Sequence, residues 1–124
     1  MIALDSSALI AFLSGAEGAV ADATGAALDQ QHACLPPVVL AELLSDPALQ
    51  SSVAGLLKAL PRLHVTDGYW ERTGALRRTI LKRGLKARLA DTLIAQSCID
   101  NRVPLLTADR DFRHFEEHGL ALLP

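Results

Sequence analysis

The chain has 124 residues, half of them hydrophobic, and a formal net charge of −2. This length fits one domain, over residues 1–124, and the charge excludes nucleic-acid binding through overall charge, so any such contact must come from a local patch. The longest apolar stretches fall short of the roughly 18 to 20 residues that span a bilayer, and no signal peptide pattern opens the chain. We therefore expect a cytoplasmic protein without a membrane segment, in which Cys34 and Cys98 are buried free thiols.

Short apolar runs alternate with longer helical patterns along the whole chain. Strands are predicted at residues 2–5, 33–35, 63–66, 104–107 and 120–123. Helices are predicted over residues 7–14, 17–30, 37–44, 47–60, 68–83, 88–101 and 110–117. Ser6 or Ser7 is expected to cap the first helix, and Pro37 is expected in the first turn of the third. The alternation predicts an α/β fold whose parallel sheet is covered on both faces, because the strands are apolar throughout.

Two acids lie at the carboxyl ends of predicted strands. Asp5 ends the run "MIALD", and Asp109 comes two residues after the strand "PLLT". In open parallel sheets the reactive site lies outside the carboxyl ends of the strands. We therefore expect both carboxylates at the same sheet edge, within reach of each other if their strands are neighbours.

Two further acids interrupt apolar helices. Glu42 lies within "VVLAELL" and Asp91 within "RLADTLIAQ", where Ala or Leu would fit and an unpaired buried carboxylate is costly. Four carboxylates from four elements would repel one another unless a cation lay between them. Oxygen ligands without a nearby His or Cys suit Mg²⁺ or Mn²⁺. Such a site activates water and stabilises charge on a phosphoryl oxygen, which indicates phosphodiester hydrolysis.

Each acid taken singly has a simpler interpretation. Helices are predicted just after Asp5 and just after Asp109, where a carboxylate is a common N-cap. Glu42 and Asp91 are compatible with salt bridges on a helix surface. Only the combination of the four acids favours a metal site, so both interpretations stay open at this point.

Four segments resemble the PIN-domain ribonucleases and, within that family, the VapC toxins of bacterial type II toxin–antitoxin pairs. The segments are "IALDSSALI", "PPVVLAELL", "RLADTLIAQS" and "LLTADRDF". They occur in the family's order and spacing, and the resemblance covers essentially the whole chain. It implies a three-layer α/β sandwich in which helices flank a five-stranded parallel sheet. It also implies a Mg²⁺- or Mn²⁺-dependent endoribonuclease that cleaves RNA, forms a homodimer and is inhibited by a cognate VapB-like antitoxin.

The resemblance also assigns the site residues. The family's four catalytic and metal-binding acids match Asp5, Glu42, Asp91 and Asp109. Ser6 falls where the family often has a hydroxyl beside the metal site, and Thr107 matches the hydroxyl at the end of the fourth strand. Asp111 is a further acid close by, assigned as an accessory residue. In the implied mechanism the three aspartates hold the metal directly or through water. Glu42 helps to hold it and positions or deprotonates the attacking water.

Basic residues are concentrated in one segment. Seven of the twelve Lys and Arg residues lie between positions 72 and 88: Arg72, Arg77, Arg78, Lys82, Arg83, Lys86 and Arg88. One interpretation is a track for the RNA backbone. The other is a solvated helix face whose last cations suit the helix dipole. The RNA track is expected only in view of the resemblance.

Two other functions remain open. The first is a PIN fold without activity that serves as a binding module, although the complete set of four acids argues against it. The second is another Mg²⁺-dependent phosphoryl hydrolase. A phosphatase of the haloacid-dehalogenase type needs an Asp two residues after Asp5, and Ser7 stands there.

Overall fold

The computed structural model describes residues 1–123, which form a parallel sheet whose strands are connected by helices. The strands are β1 (Ile2–Leu4), β2 (Ala33–Cys34), β3 (Leu105–Leu106) and β4 (Leu122–Leu123). The α-helices are α1 (Ser6–Leu13), α2 (Ala19–Asp29), α3 (Pro37–Leu44), α4 (Ser51–Ala59), α5 (Tyr69–Lys82) and α6 (Leu89–Asn101). A 3-10 helix, Arg110–His118, lies between β3 and β4.

The strands pair in parallel in the order β2-β1-β3-β4. Ala3 of β1 lies opposite Cys34 on one side and Leu105 on the other. The side chains of Ala3, Leu4, Leu105 and Leu106 are fully buried, as expected for short apolar strands between helical layers. Helix α1 packs on α2, and α5 packs on α6. The predicted α/β sandwich with a parallel sheet flanked by helices is confirmed.

The predicted fifth strand, at residues 63–66, is wrong, because residues 1–123 form a sheet of four strands. The chain makes a single parallel bridge just before that segment, between Leu35 and Arg62. Beyond the bridge, the carbonyl of His64 accepts a hydrogen bond from the Asn101 side-chain amide at 3.0 Å. The backbone N–H of Leu63 donates to the Leu35 carbonyl at 2.9 Å, but the pairing goes no further, so residues 63–66 do not form a strand.

Helix α1 begins with a different cap from the one expected. Its N-cap is Asp5 rather than Ser6 or Ser7, and the Asp5 carboxylate accepts a hydrogen bond from the backbone N–H of Ala8 at 2.9 Å. The simpler interpretation of Asp5 as a helix cap is thus correct, and it leaves the other carboxylate oxygen for further partners. Pro37 occupies the first turn of α3 as predicted.

Helix α4 begins later than predicted. The helix starts at Ser51, whereas Pro47 was expected to open it. The Asp46 carboxylate accepts the backbone N–H of Ala48 at 2.9 Å, and this local hydrogen bond favours a turn over a helical start.

The helix predicted after β3, over residues 110–117, is present as a 3-10 helix. Phe112 and Phe115 are each 1 % exposed, and their ring centroids lie 6.0 Å apart. A three-residue turn places side chains three positions apart on the same face, so both rings reach the core. The same period leaves Arg110 and Arg113 together on an exposed face.

The predictions about membrane segments and about the two cysteines agree with the structure of residues 1–123. Among residues 1–123, no helix is long and apolar enough to cross a membrane. Cys34 and Cys98 are buried free thiols, as predicted. Burial raises the pKa of both thiols, so they stay protonated and behave as core residues.

Candidate active site

Asp5 lies at the carboxyl end of β1 and is 3 % exposed. Besides the Ala8 N–H, its carboxylate accepts hydrogen bonds from the hydroxyl of Ser7 at 2.8 Å and from the hydroxyl of Thr107 at 2.5 Å. Burial nevertheless raises the pKa of Asp5, with a smaller contribution from the negative charge of Asp109. The three hydrogen bonds therefore fix the orientation of the carboxylate, while its burial disfavours the ionised form.

The two hydroxyls join the ends of β1 and β3. The Ser7 oxygen accepts the backbone N–H of Ala108 at 3.0 Å, and the Thr107 oxygen accepts the backbone N–H of Asp109 at 2.9 Å. Each hydroxyl thus donates to Asp5 and accepts from the loop that carries Asp109. Thr107, which the resemblance matches to a hydroxyl at the end of a strand, lies just after β3 and contacts Asp5.

Sequence reasoning missed Ser7 as a member of the site and singled out Ser6 instead. Ser6 donates its hydroxyl to Oε1 of Glu42 at 2.8 Å, so it reaches a different acid from Ser7. A signal for Ser7 existed: a hydroxyl two residues after Asp5 can bond back to that carboxylate across the first turn of the helix.

Asp109 and Asp111 begin the 3-10 helix. Asp109 is its N-cap and accepts the backbone N–H of Asp111 at 2.9 Å. The Asp111 carboxylate lies 3.2 Å from the ammonium of Lys86. Asp109 therefore faces the Asp5 network, while Asp111 already has a cationic partner at the rim.

Asp91 lies in the first turn of α6 and is partly buried. Its pKa is raised to about 6, first by burial and then by the negative charge of Asp109, with smaller contributions from Glu42 and Asp111. The positive charge of Arg88 acts in the opposite direction. The predicted site acids thus lie close enough to influence one another although they come from separate segments.

Glu42 is exposed on α3, so the burial cost that made it conspicuous in the sequence does not apply to it. Its position is set by the Ser6 hydroxyl rather than by a cation. The negative charge of Glu42 raises the pKa of Asp91, so Glu42 lies on the same side of the molecule as the other site acids.

The donor chemistry of the site fits a hard divalent cation. All candidate ligands are carboxylate or hydroxyl oxygens, as Mg²⁺ and Mn²⁺ prefer. Among residues 1–123, however, no three acids converge closely enough to form a compact cage for one ion. Because Mg²⁺ commonly keeps several of its waters, these residues suit an ion held partly through water.

The seven basic residues between positions 72 and 88 differ in their partners, and three of them, Arg77, Arg78 and Lys82, line one cleft. Three of them make ion pairs: Arg72 with Asp100 at 2.7 Å, Arg83 with Glu117 at 3.0 Å and Lys86 with Asp111 at 3.2 Å. Arg77 donates to the carbonyl of Ala87 at 2.8 Å. No ion pair within residues 1–123 involves Arg78, Lys82 or Arg88. Of the seven, Lys86 and Arg88 border the acids of the site.

Together, these features define an α/β domain with interacting acids at the carboxyl edge of a parallel sheet. The sequence profile of the PIN domain matches residues 2–117, and the chain belongs to the PIN-domain family. PIN domains are generally nucleases. Curated protein sequences give no significant match.

Solved structures show the same fold. The crystal structure of VapBC2 from Rickettsia felis bound to a DNA fragment from their promoter aligns with a TM-score of 0.73. The alignment covers 99 % of this chain and 98 % of that chain, at 21 % sequence identity. At this identity the likeness concerns the fold.

Proposed function

We propose that the chain is a metal-dependent endoribonuclease and the toxin of a VapBC-like toxin–antitoxin pair. The observation that carries this proposal is the geometry of the sheet edge, where Ser7 and Thr107 donate to the buried Asp5 carboxylate and accept from the loop that carries Asp109. Burial and the repulsion from the charge of Asp109 raise the pKa of both Asp5 and Asp91 at this edge. Such repulsion at one sheet edge is unfavourable without a cation, and PIN domains are generally nucleases.

In the proposed mechanism, each acid has a distinct role. Asp5, Asp91 and Asp109 hold Mg²⁺ or Mn²⁺ directly or through water, with Asp5 kept in orientation by Ser7 and Thr107. When bound, the metal polarises the scissile phosphate and makes water a better nucleophile. Glu42, which is exposed beside Ser6, helps to hold the metal and positions or deprotonates the attacking water.

A groove next to Glu42 supports the antitoxin part of the proposal. Its volume is about 490 Å³, and its lining combines apolar residues of α1, α3, α4 and the α3–α4 connection with five polar ones: Ser6, Ser14, Glu42, Asp46 and Gln50. Ile10 and Leu13 of this groove are 56 % and 39 % exposed. An amphipathic antitoxin helix would cover these apolar side chains and the approach to Glu42. The VapBC2 structure supports such a partner by likeness of fold.

The proposed homodimer is tested separately from the catalytic site. We expect the purified chain to have twice the monomer mass of 13.2 kDa in solution. Light scattering coupled to size-exclusion chromatography measures that mass. A monomer at all concentrations tested would contradict the dimer and leave the nuclease proposal standing.

The proposed activity is tested by cleavage of structured RNAs with Mg²⁺, with Mn²⁺ and with EDTA. We expect cleavage at discrete sites that EDTA abolishes and that Asp5→Asn and Asp91→Asn both remove. Asp29→Asn is the matched control, because Asp29 is an exposed aspartate at the end of α2, outside the site. Loss of activity in the control as well would point to folding rather than chemistry. Metal binding without cleavage of any RNA would favour the binding module instead.

A further inference from the structure

A second cleft lies beside the acids, on the side of the edge strand β4. Its volume is about 210 Å³, and it is lined by Thr107, Ala108, Asp109, Arg110, Arg113, Leu122 and Leu123. We propose that this cleft binds the RNA backbone next to the scissile phosphate, with the guanidinium groups of Arg110 and Arg113 on the phosphates. This inference rests on the proposed ribonuclease function and names a substrate contact outside the basic segment 72–88.

Arg110 and Arg113 are arranged to act together. In a 3-10 helix, residues three positions apart share one face, and a rise of about 2 Å per residue separates them by roughly 6 Å. Both side chains are exposed and line the cleft. No ion pair within residues 1–123 involves either of them, in contrast to Arg72 and Arg83. A guanidinium without an internal carboxylate partner is available for bidentate contact with a phosphate.

The cleft is continuous with the acidic edge. Thr107 lines the cleft and also donates its hydroxyl to the Asp5 carboxylate at 2.5 Å. Asp109 lines the cleft too, and its backbone N–H is bonded to Thr107. An RNA strand held in the cleft would therefore pass directly to the acids of the proposed active site.

The remaining wall of the cleft is apolar. It consists of Leu122 and Leu123 of β4, which are partly buried. A wall of this kind suits the ribose or the face of a base, while the arginines take the charged part of the nucleotide. The negative charge of Asp109 would repel a phosphate beside it, so we expect this binding to tighten when a divalent cation is present.

The test compares double variants by binding and by cleavage. Binding of a labelled single-stranded RNA is followed by fluorescence anisotropy in EDTA and in Mg²⁺ over a range of salt concentrations. Arg110→Gln with Arg113→Gln is expected to weaken binding about tenfold or more. The slope of log affinity against log salt should fall by about 0.7 for each phosphate that the variant no longer neutralises. In cleavage assays KM should rise, while kcat changes much less, because the variant keeps the acids.

Two controls separate this contact from general charge. Lys58→Gln with Arg62→Gln removes the same charge from exposed positions elsewhere and should leave the salt slope unchanged. Arg110→Lys with Arg113→Lys keeps the charge and should restore most of the slope, although not the full affinity. Unchanged circular dichroism and melting temperature establish that each variant folds.

The inference is overturned if Arg110→Gln with Arg113→Gln binds and cleaves RNA like the wild type. The inference is also overturned if the salt slope falls in Arg78→Gln with Lys82→Gln and not in Arg110→Gln with Arg113→Gln. That result would place the RNA backbone against α5. Failure of the wild-type chain both to bind and to cleave RNA is a different result, because it refutes the ribonuclease function on which the inference rests.

Discussion

Replacing Asp91 by asparagine is expected to stabilise the metal-free protein near neutral pH. The folded chain raises the pKa of Asp91 from 3.8 to about 6, mainly by burial and by the charge of Asp109. Between these values the folded state holds a proton on Asp91 that the unfolded state releases. The stability that this proton gives is therefore present below about pH 4 and lost as the pH rises through about 6. The Asp91→Asn variant does not lose stability in this way as the pH rises, because asparagine does not ionise.

The size of the effect follows from the same pKa. A tenfold change in proton affinity corresponds to about 1.4 kcal/mol, so the full shift corresponds to about 3 kcal/mol. Asp91 is only partly buried, and solvent screens the interaction, so we expect about 1–2 kcal/mol at neutral pH. The site acids thus lower the free energy of unfolding of the metal-free protein, as is common for residues that serve function rather than stability.

Urea unfolding in EDTA at about pH 7.5 and about pH 4 measures this difference. The variant should be more stable than the wild type at the higher pH and equal to it at the lower pH. Asp100→Asn is the control, and it should lower the free energy of unfolding at the higher pH. The reason is that hydrogen bonds from Arg72 and Gln96 lower the pKa of Asp100 despite its partial burial. An Asp91→Asn variant no more stable than wild type at about pH 7.5, or equally stabilised at both pH values, would refute the reasoning. Adding Mg²⁺ should stabilise the wild type more than the variant.

Three further variants test other parts of the structure. Ser7→Ala removes a hydroxyl shared by Asp5 and Ala108 and should destabilise the protein by about 1–3 kcal/mol in thermal unfolding; a change below about 0.5 kcal/mol would contradict the network. Glu42→Gln alters an exposed side chain, so stability should change by less than about 0.5 kcal/mol while RNA cleavage falls about a hundredfold; equal loss of both would indicate a structural role. Gly68→Ala should lower the free energy of unfolding by about 1–2 kcal/mol, because Gly68 has a φ of 83° and the added Cβ would lie 2.5 Å from a guanidinium nitrogen. Gly74→Ala, in open space within α5, should raise it by about 1 kcal/mol. A change of the same sign in both variants would contradict this reasoning.

The position of the acids was predictable because it depends on topology more than on side-chain detail. Parallel strands bring their carboxyl ends to one edge, so Asp5 and Asp109 meet wherever β1 and β3 are neighbours. The spacing of apolar residues placed the helix that carries Asp91. Burial was harder to predict, because Glu42 stands among apolar neighbours in sequence and yet is exposed.

The hydrogen-bond network around Asp5 was less predictable for a physical reason. Ser6 and Ser7 are chemically identical, and a rotation of about 100° per residue along α1 decides which of them faces Asp5. That rotation depends on where the helix begins, which Asp5 itself decides as the N-cap. The predicted strand at residues 63–66 depended in the same way on contacts distant in sequence: its backbone bonds Leu35 at Leu63 and the Asn101 side chain at His64.

The same limit applies to charge, and it explains why the basic segment and the cleft differ. A run of cations such as residues 72–88 is conspicuous in sequence, but several of its members are neutralised by acids from distant elements. Arg110 and Arg113 are inconspicuous in sequence, because they are interspersed with the acids Asp109, Asp111, Glu116 and Glu117. The buried rings of Phe112 and Phe115 favour a three-residue turn, and that turn aligns the two arginines along one cleft beside Asp109. The phosphate contacts proposed for this chain therefore rest on unpaired charge next to the acids, and not on the density of charge in the sequence.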